Sequence, residues 1–323
     1  MSKTVNTPKL PTDETTGFGT NSAWYGGRLV NKDGRTNIRR TGIRFFESLS
    51  VYHMLLQISR WKFMMLIVLA FLLFNLVFAS VYLLIGIQHL SGMIAVTPVQ
   101  KFVEAFFFSS QTFTTVGYGR ISPTGYTTSF VASLEAFVGL LFFAIATGLF
   151  YARFSRPQSF IRFSHHAVIA PYKDGIALMC RMVPFKNNRL TDAQVTVTLA
   201  MVVTENGKTM NRFYPLTLEI ARINALSLSW TLVHAIDEKS PFYEWSKEEF
   251  SKHKYEVLLY ANAFDETFSS TVVCRTSYTN HEVIAGGKFV PMYHRSHDNE
   301  STIVEIDKLN LVEPVDITAH LPG

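Results

Sequence analysis

Five consecutive residues, Thr115-Val116-Gly117-Tyr118-Gly119, concentrate the most specific chemistry in this chain. Their value lies in the backbone. A potassium ion stripped of water needs oxygen ligands in place of its hydration shell, and a row of carbonyls facing one way supplies them. That row requires alternating backbone conformations, which glycine reaches without a Cβ penalty. Gly117 and Gly119 supply the glycines, and the Thr115 hydroxyl adds an oxygen at one end. Potassium is thus expected at Thr115, Val116, Gly117 and Tyr118, with Val116 and Tyr118 turned away to pack against the preceding helix. An acid in place of Tyr118 would point instead to a poorly selective cation pore. A Gly-aromatic-Gly triplet alone is a weak signal, so its placement decides.

That placement is specific. Thr97 is suited to cap a helix and Pro98 to its first turn. A helix over residues 99–113 is only about 20 Å long at 1.5 Å per residue. It cannot cross a bilayer core of about 30 Å and must enter and return as a re-entrant loop. Its C-terminal dipole end would favour a cation beyond it. Before it, residues 63–87 carry no charge, and after it residues 136–152 are apolar, with Glu135 the one charge between residues 121 and 152. Both runs read as membrane-spanning helices, about 61–87 and 124–154, with the pore helix and loop at 98–119 between them. Arg28, Lys32, Arg35, Arg39, Arg40, Arg44, Arg60 and Lys62 precede the first span, and Arg153, Arg156 and Arg162 follow the second. The connecting segment offers only Lys101 and Arg120. This asymmetry places both termini in the cytoplasm. One loop supplies one quarter of a ring, so four copies are needed to close it.

The remainder is organised around that pore. Apolar residues make up 48% and charged residues 17%, a charge deficit that the two spans account for. A net charge of +5 without a basic stripe argues against nucleic acid. Residues 1–45 are polar and basic, without a signal-peptide core, and read as a cytoplasmic tail loosely ordered through Asn37. Leu49, Tyr52 and Leu56 are helically spaced and suggest an interfacial helix over 46–60. Beyond Pro157 the period changes to two: Ala193, Val195, Val197, Leu199, Met201 and Val203 mark a half-buried strand, followed by the turn signal Asn206-Gly207. Further β-like runs at 226–236, 255–261, 271–278, 288–293 and 301–306 suggest a β-sandwich over 157–310, with a tail at 311–323. Cys180 and Cys274 are isolated and read as two free thiols. His165 and His166 are adjacent, no catalytic triad or H-E-x-x-H pattern is present, and an enzyme is not expected.

Four motifs beyond the loop carry a family resemblance over residues 35–310. They are Tyr151-Ala152-Arg153-Phe154-Ser155-Arg156-Pro157; Leu226-Ser227-Leu228-Ser229-Trp230-Thr231 with His234, Asp237 and Ser240-Pro241; Cys274-Arg275-Thr276-Ser277-Tyr278; and Glu282-Val283-Ile284-Ala285-Gly286-Gly287-Lys288-Phe289. With them the chain resembles the inward-rectifier potassium channels, specifically the prokaryotic, KirBac-type branch. The resemblance implies a two-span α-helical pore domain with a re-entrant loop and an all-β, immunoglobulin-like cytoplasmic domain. It also implies a homotetramer in a bacterial inner membrane, with potassium as permeant ion and no cofactor. Phe143, Thr147 and Tyr151 share a helix face that would line the pore, with Tyr151 at the inner gate. Gly139 and Gly148 would serve as hinges or allow close packing. A cytoplasmic loop at about 263–270, with Glu266, would form a second constriction, and Asp192 an acidic ring facing the ion path.

The departures matter as much. Phe143 stands where strong rectifiers carry an acid, so weak rectification is expected. Gln111 replaces the family's pore-helix acid, and no cysteines flank the loop. The basic cluster after the second span is thinned to Arg153 and Arg156, which retain an expected role toward anionic lipid headgroups. Glu135, an acid within a span, reads as a hydrogen-bonding residue behind the loop or as a functional site. The competing class, a membrane-anchored receptor with a ligand-binding β-domain, leaves the Thr115–Gly119 motif without a purpose.

Overall fold

The computed structural model describes residues 11–13, 16–18, 28–42, 50–205 and 208–320. The chain forms two compact units, residues 41–156 and residues 1–40 with 157–323.

The first unit is helical. Helix α1 (Val51–Gln57) is capped by the Ser50 hydroxyl, which accepts from the His53 N–H. Of the apolar trio that suggested an interfacial helix, Tyr52 is exposed, Leu56 is buried and Leu49 lies outside the described residues. Helices α2 (Arg60–Ile85) and α4 (Tyr126–Phe154) have 26 and 29 residues and are long and apolar enough to cross a membrane. Helix α2 is apolar around its whole circumference and leaves Leu69, Leu73 and Val77 exposed, as expected of a lipid-facing helix. It stops short of residue 87 because Gly86 turns to φ +115°. Helix α3 (Pro98–Phe113) lies between them in sequence, and its 16 residues span about 24 Å. Thr97 and Gln100 form a reciprocal capping box at its start. A short antiparallel pair, β1 (Leu90–Ser91) and β2 (Ser122–Pro123), joins the segments flanking α3.

The second unit is all-β at its core. In chain order its strands are β3 (Ile161–Phe163), β4 (Ala167–Tyr172), β5 (Gly175–Pro184), β6 (Leu190–Glu205), β7 (Lys208–Leu216), β8 (Arg222–Ala225) and β9 (Trp230–Ala235). Then come β10 (Tyr255–Asp265), β11 (Ser270–Thr279), β12 (Val283–Ala285), β13 (Gly287–Phe289), β14 (Tyr293–Arg295), β15 (Thr302–Val304) and β16 (Val312–Pro314). One sheet runs β11-β10-β6-β7, with β8 on β6; the other runs β12-β4-β5-β3, with β9 on β5. Their inner faces share one apolar core, which includes Ile169, Leu178, Val197, Leu199, Trp230, Val257 and Tyr278. The β6–β7 register is continuous to Glu205↔Lys208, while the Asn206-Gly207 turn itself lies outside the described residues. The β-like run 288–293 is two strands, because Pro291 has no N–H for a ladder. Both cysteines are free thiols, and burial pushes each up to about 12.

Two expectations about the termini need correction. Residues 28–37 are not a loose tail. Asp33-Gly34 turns this segment into a small hairpin, with Gly34 at φ +82° and Val30 bridged to Thr36. The backbone N–H groups of Leu29 and Val30 donate to the buried Glu256 carboxylate at 2.6 and 3.1 Å. Arg28 donates to Ser277 O at 2.8 Å and pairs with Glu282 at 2.8 Å. Val30 also packs with Ala200, Phe213 and Leu258, covering the outer face of β6, β7 and β10. The C-terminal stretch is likewise structural: β16 pairs with β13, and Ile317 is fully buried in the sandwich core. At the N-terminal end a few apolar side chains and backbone bonds suffice to order a segment whose average composition is polar.

Candidate functional site

The Thr115–Gly119 segment begins where α3 ends. The Thr114 hydroxyl donates to Ser110 O at 2.7 Å, closing the last turn. The Gln111 carbonyl then accepts from Val116 N at 2.9 Å and Gly117 N at 3.3 Å. From there the backbone alternates. Thr115, Gly117 and Gly119 have φ of 60°, 55° and 82°, while Val116 and Tyr118 between them do not enter the left-handed region. A Cβ on Gly117 or Gly119 would meet nothing within 4 Å in this chain. The two glycines are therefore required by conformation and not by space. Thr115 holds the same conformation with a β-branched side chain, a strain of about 1–2 kcal/mol. Sequence reasoning assigned left-handed backbone to the glycines alone, and no propensity of threonine would have suggested otherwise. Val116 and Tyr118 are 53% and 79% exposed. They were expected to pack against the preceding helix, but within this chain they are largely uncovered.

Behind α3 the packing is the reverse. Glu135 of α4 is fully buried. The Tyr82 hydroxyl of α2 donates to its Oε2 at 2.6 Å, and Ser109 of α3 contacts its Oε1. Ser109 also contacts Asn75 Oδ1 of α2 at 3.1 Å. One turn along both helices, a Cβ on Gly139 would fall 2.0 Å from the Phe113 carbonyl oxygen. Residue pairs Ser109/Phe113 and Glu135/Gly139 thus form one seam, polar at one turn and backbone-tight at the next. This contact fits close packing at Gly139, one of the two roles expected of it. Phe71, Phe74, Phe142 and Phe143 surround the Phe113 ring at centroid distances of 5.5–6.4 Å. Beyond Gly119, Arg120 pairs with Glu104 of α3 at 2.9 Å, and Glu104 also accepts from the Ile94 and Ala95 N–H groups. The rear partners Asn75, Tyr82 and Ser109 and the Glu104–Arg120 pair went unnoticed in sequence. Asn75, a polar residue inside an apolar span, was the available signal.

On α4, Phe143, Thr147 and Tyr151 lie along an exposed face, and Gly148 has open space around its Cα. Arg153 is engaged: its guanidinium donates to the Leu55 carbonyl and, at 2.7 Å, to the Ile58 carbonyl, and it stacks 4.5 Å from the Phe63 ring centroid. It satisfies carbonyls at the end of α1. Arg156 is exposed.

The comparisons with known proteins agree with this layout. A family model for the inward rectifier potassium channel transmembrane domain matches residues 30–157, and one for the C-terminal domain of the same channels matches residues 161–321. The chain belongs to the inward rectifier potassium channel family. It is 35% identical to inward rectifier potassium channel Kirbac3.1 of Paramagnetospirillum magnetotacticum, over 82% of this chain and 89% of that protein. It is also 26% identical to inward rectifier potassium channel irk-1 of Caenorhabditis elegans, covering 92% of this chain and 58% of the relative. G protein-activated inward rectifier potassium channel 2 of Pongo abelii is 28% identical, covering 82% of this chain and 67% of that protein. This inward rectifier is therefore a membrane protein of the KirBac type, with the family's two-span helical unit and C-terminal β-sandwich.

In the β-sandwich of this inward rectifier, Asp192 has φ +49° and pairs with Arg222 at 2.6 Å, both side chains being exposed. Arg222 thus offsets the charge of Asp192 within the chain. Residues 266–269 form the loop between β10 and β11, shorter than the expected 263–270 because both strands extend. Glu266 is exposed on that loop. Its shape is set by Asp265, whose carboxylate accepts from Thr267 N at 2.8 Å and Phe268 N at 3.3 Å.

Proposed function

We propose that this chain is one of four identical subunits of a potassium-selective channel in a bacterial inner membrane, with both termini cytoplasmic. The observation that carries the reading is the alternation of left-handed backbone at Thr115, Gly117 and Gly119 directly after a re-entrant-length helix. Such alternation turns successive carbonyls toward one side, and four copies close a ring of oxygen ligands around dehydrated potassium. The exposed Val116 and Tyr118 support the tetramer, since their cover must come from other protomers. Phe143, Thr147 and Tyr151 line the path below the filter, Tyr151 closes it by dewetting, and the 266–269 loop forms a second constriction. Phe143 offers no charge to a blocking polycation, so rectification is weak. Arg153 and Arg156, at the end of the second span, face anionic lipid headgroups.

The test is rubidium uptake into liposomes loaded with potassium. Uptake blocked by barium and not competed away by sodium supports the reading. A properly tetrameric sample that takes up no rubidium in any lipid mixture would favour a receptor built on a pore-like scaffold.

A further inference from the structure

The Glu135 site can be read by counting hydrogens. The Tyr82 hydroxyl has one and donates it to Glu135 Oε2. Asn75 Nδ2 donates to the Phe71 carbonyl at 2.7 Å, which fixes the amide so that its oxygen faces Ser109. Asn75 can therefore only accept at Ser109. Ser109 has one hydrogen, yet its oxygen contacts two acceptors, Asn75 Oδ1 and Glu135 Oε1. With Glu135 as a carboxylate the set is one hydrogen short. Two facing oxygens then share no hydrogen, and a full negative charge is buried with no cation bonded to it among the described residues. A buried acceptor left without a donor is destabilising, and an unpaired buried charge more so. One added hydrogen on Oε1 completes every contact: Glu135 donates to Ser109, Ser109 to Asn75, Asn75 to Phe71, and Tyr82 to Glu135.

We propose that Glu135 is a neutral carboxylic acid, a hydrogen-bond donor that positions the pore helix through Ser109. It contributes no charge beside the ion path. It acts through Ser109, six residues before Thr115, and never touches an ion; that functional part rests on the channel reading above.

The test is infrared difference spectroscopy of the full-length protein in liposomes, wild type against Glu135→Gln, together with rubidium uptake. Glutamine donates to Ser109 and accepts from Tyr82 while carrying its hydrogens permanently. Wild type should show a protonated-carboxyl carbonyl band that Glu135→Gln lacks, and Ser109→Ala should shift that band without removing it. Uptake by Glu135→Gln should stay within about twofold of wild type, since the hydrogen-bond pattern is kept. Glu135→Asp, which is too short to reach both partners, should lose most uptake. If Glu135→Gln fails to assemble, the wild-type and Ser109→Ala spectra decide alone. A wild-type spectrum with no protonated-carboxyl band overturns the proposal, as does uptake kept by Glu135→Asp and lost by an assembled Glu135→Gln. The infrared readout needs no conduction, so a silent channel and a wrong proton assignment are distinguishable.

Discussion

The two sides of the pore helix present opposite kinds of surface. In front, Thr115–Gly119 is held by backbone conformation, with Val116 and Tyr118 exposed and open space in this chain where a Cβ on Gly117 or Gly119 would lie. Behind, Asn75, Ser109, Tyr82 and Glu135 are buried and mutually bonded, and Gly139 leaves no room even for a methyl group. A single chain thus finishes the rear of the helix and leaves the front incomplete. The difference teaches where selection for shape acts. Rear residues are specified by their neighbours in the same protomer. Front residues are specified by φ, and this chain leaves their side chains uncovered.

Substitutions at the three glycines should separate these cases most strongly. Gly117→Ala meets no steric obstacle within the chain, but it places a Cβ on left-handed backbone, at about 1–2 kcal/mol per copy. Barium-sensitive rubidium uptake should be abolished while the tetramer survives gel filtration; retained selective uptake would break the distinction. Gly139→Ala should instead destabilise the helical unit by about 1–3 kcal/mol, because the methyl would strike the Phe113 carbonyl and force α4 from α3. Thermal unfolding of the reconstituted protein reports this. Gly148→Ala, with open space around it, should be neutral or gain up to about 1 kcal/mol from helix propensity.

The contrast between buried and exposed polar groups extends to the β-sandwich with smaller effects. His234 is buried, its Nδ1 donating to the Thr217 carbonyl at 2.7 Å and its Nε2 accepting from Ser240 at 2.9 Å. Burial holds its pKa below the ordinary value of about 6.5. The unfolded chain therefore binds a proton first, so the stability contributed by neutral His234 is complete above pH 6.5 and lost as pH falls below it. Melting followed by circular dichroism should show this loss in the wild type and a shallower one in His234→Gln. The exposed Asp192–Arg222 pair should matter least. Arg222→Ala should leave stability within about 1 kcal/mol of wild type. It should raise cation conductance slightly at low salt, an effect that vanishes as salt screens the freed Asp192.

The front of the pore helix could be read from sequence because its signal is local: five adjacent residues after a capped apolar helix. The rear could not. Asn75, Tyr82, Ser109 and Glu135 come from three helices and follow no period, so only the fold brings them together. The sandwich shows the same divide. Strand β6 announces itself by alternation from Ala193 to Val203, but β4 and β5 were missed. Both are buried over most of their length, and β5 pairs with β3, β4 and β9, so their residues read as continuous apolar runs. Residues 28–37 and Ile317 escaped because ordering them rests on distant partners, Glu256, Ser277 and Glu282 for the former and the sandwich core for the latter.

The central claim is that alternating backbone at Thr115–Gly119 makes a potassium-selective filter. The most direct test is the reversal potential of the reconstituted protein in a planar bilayer with potassium on one side and sodium on the other. The account predicts a reversal far toward the potassium equilibrium potential, with no measurable sodium current. A barium-sensitive current that reverses near zero under the same gradient would contradict it.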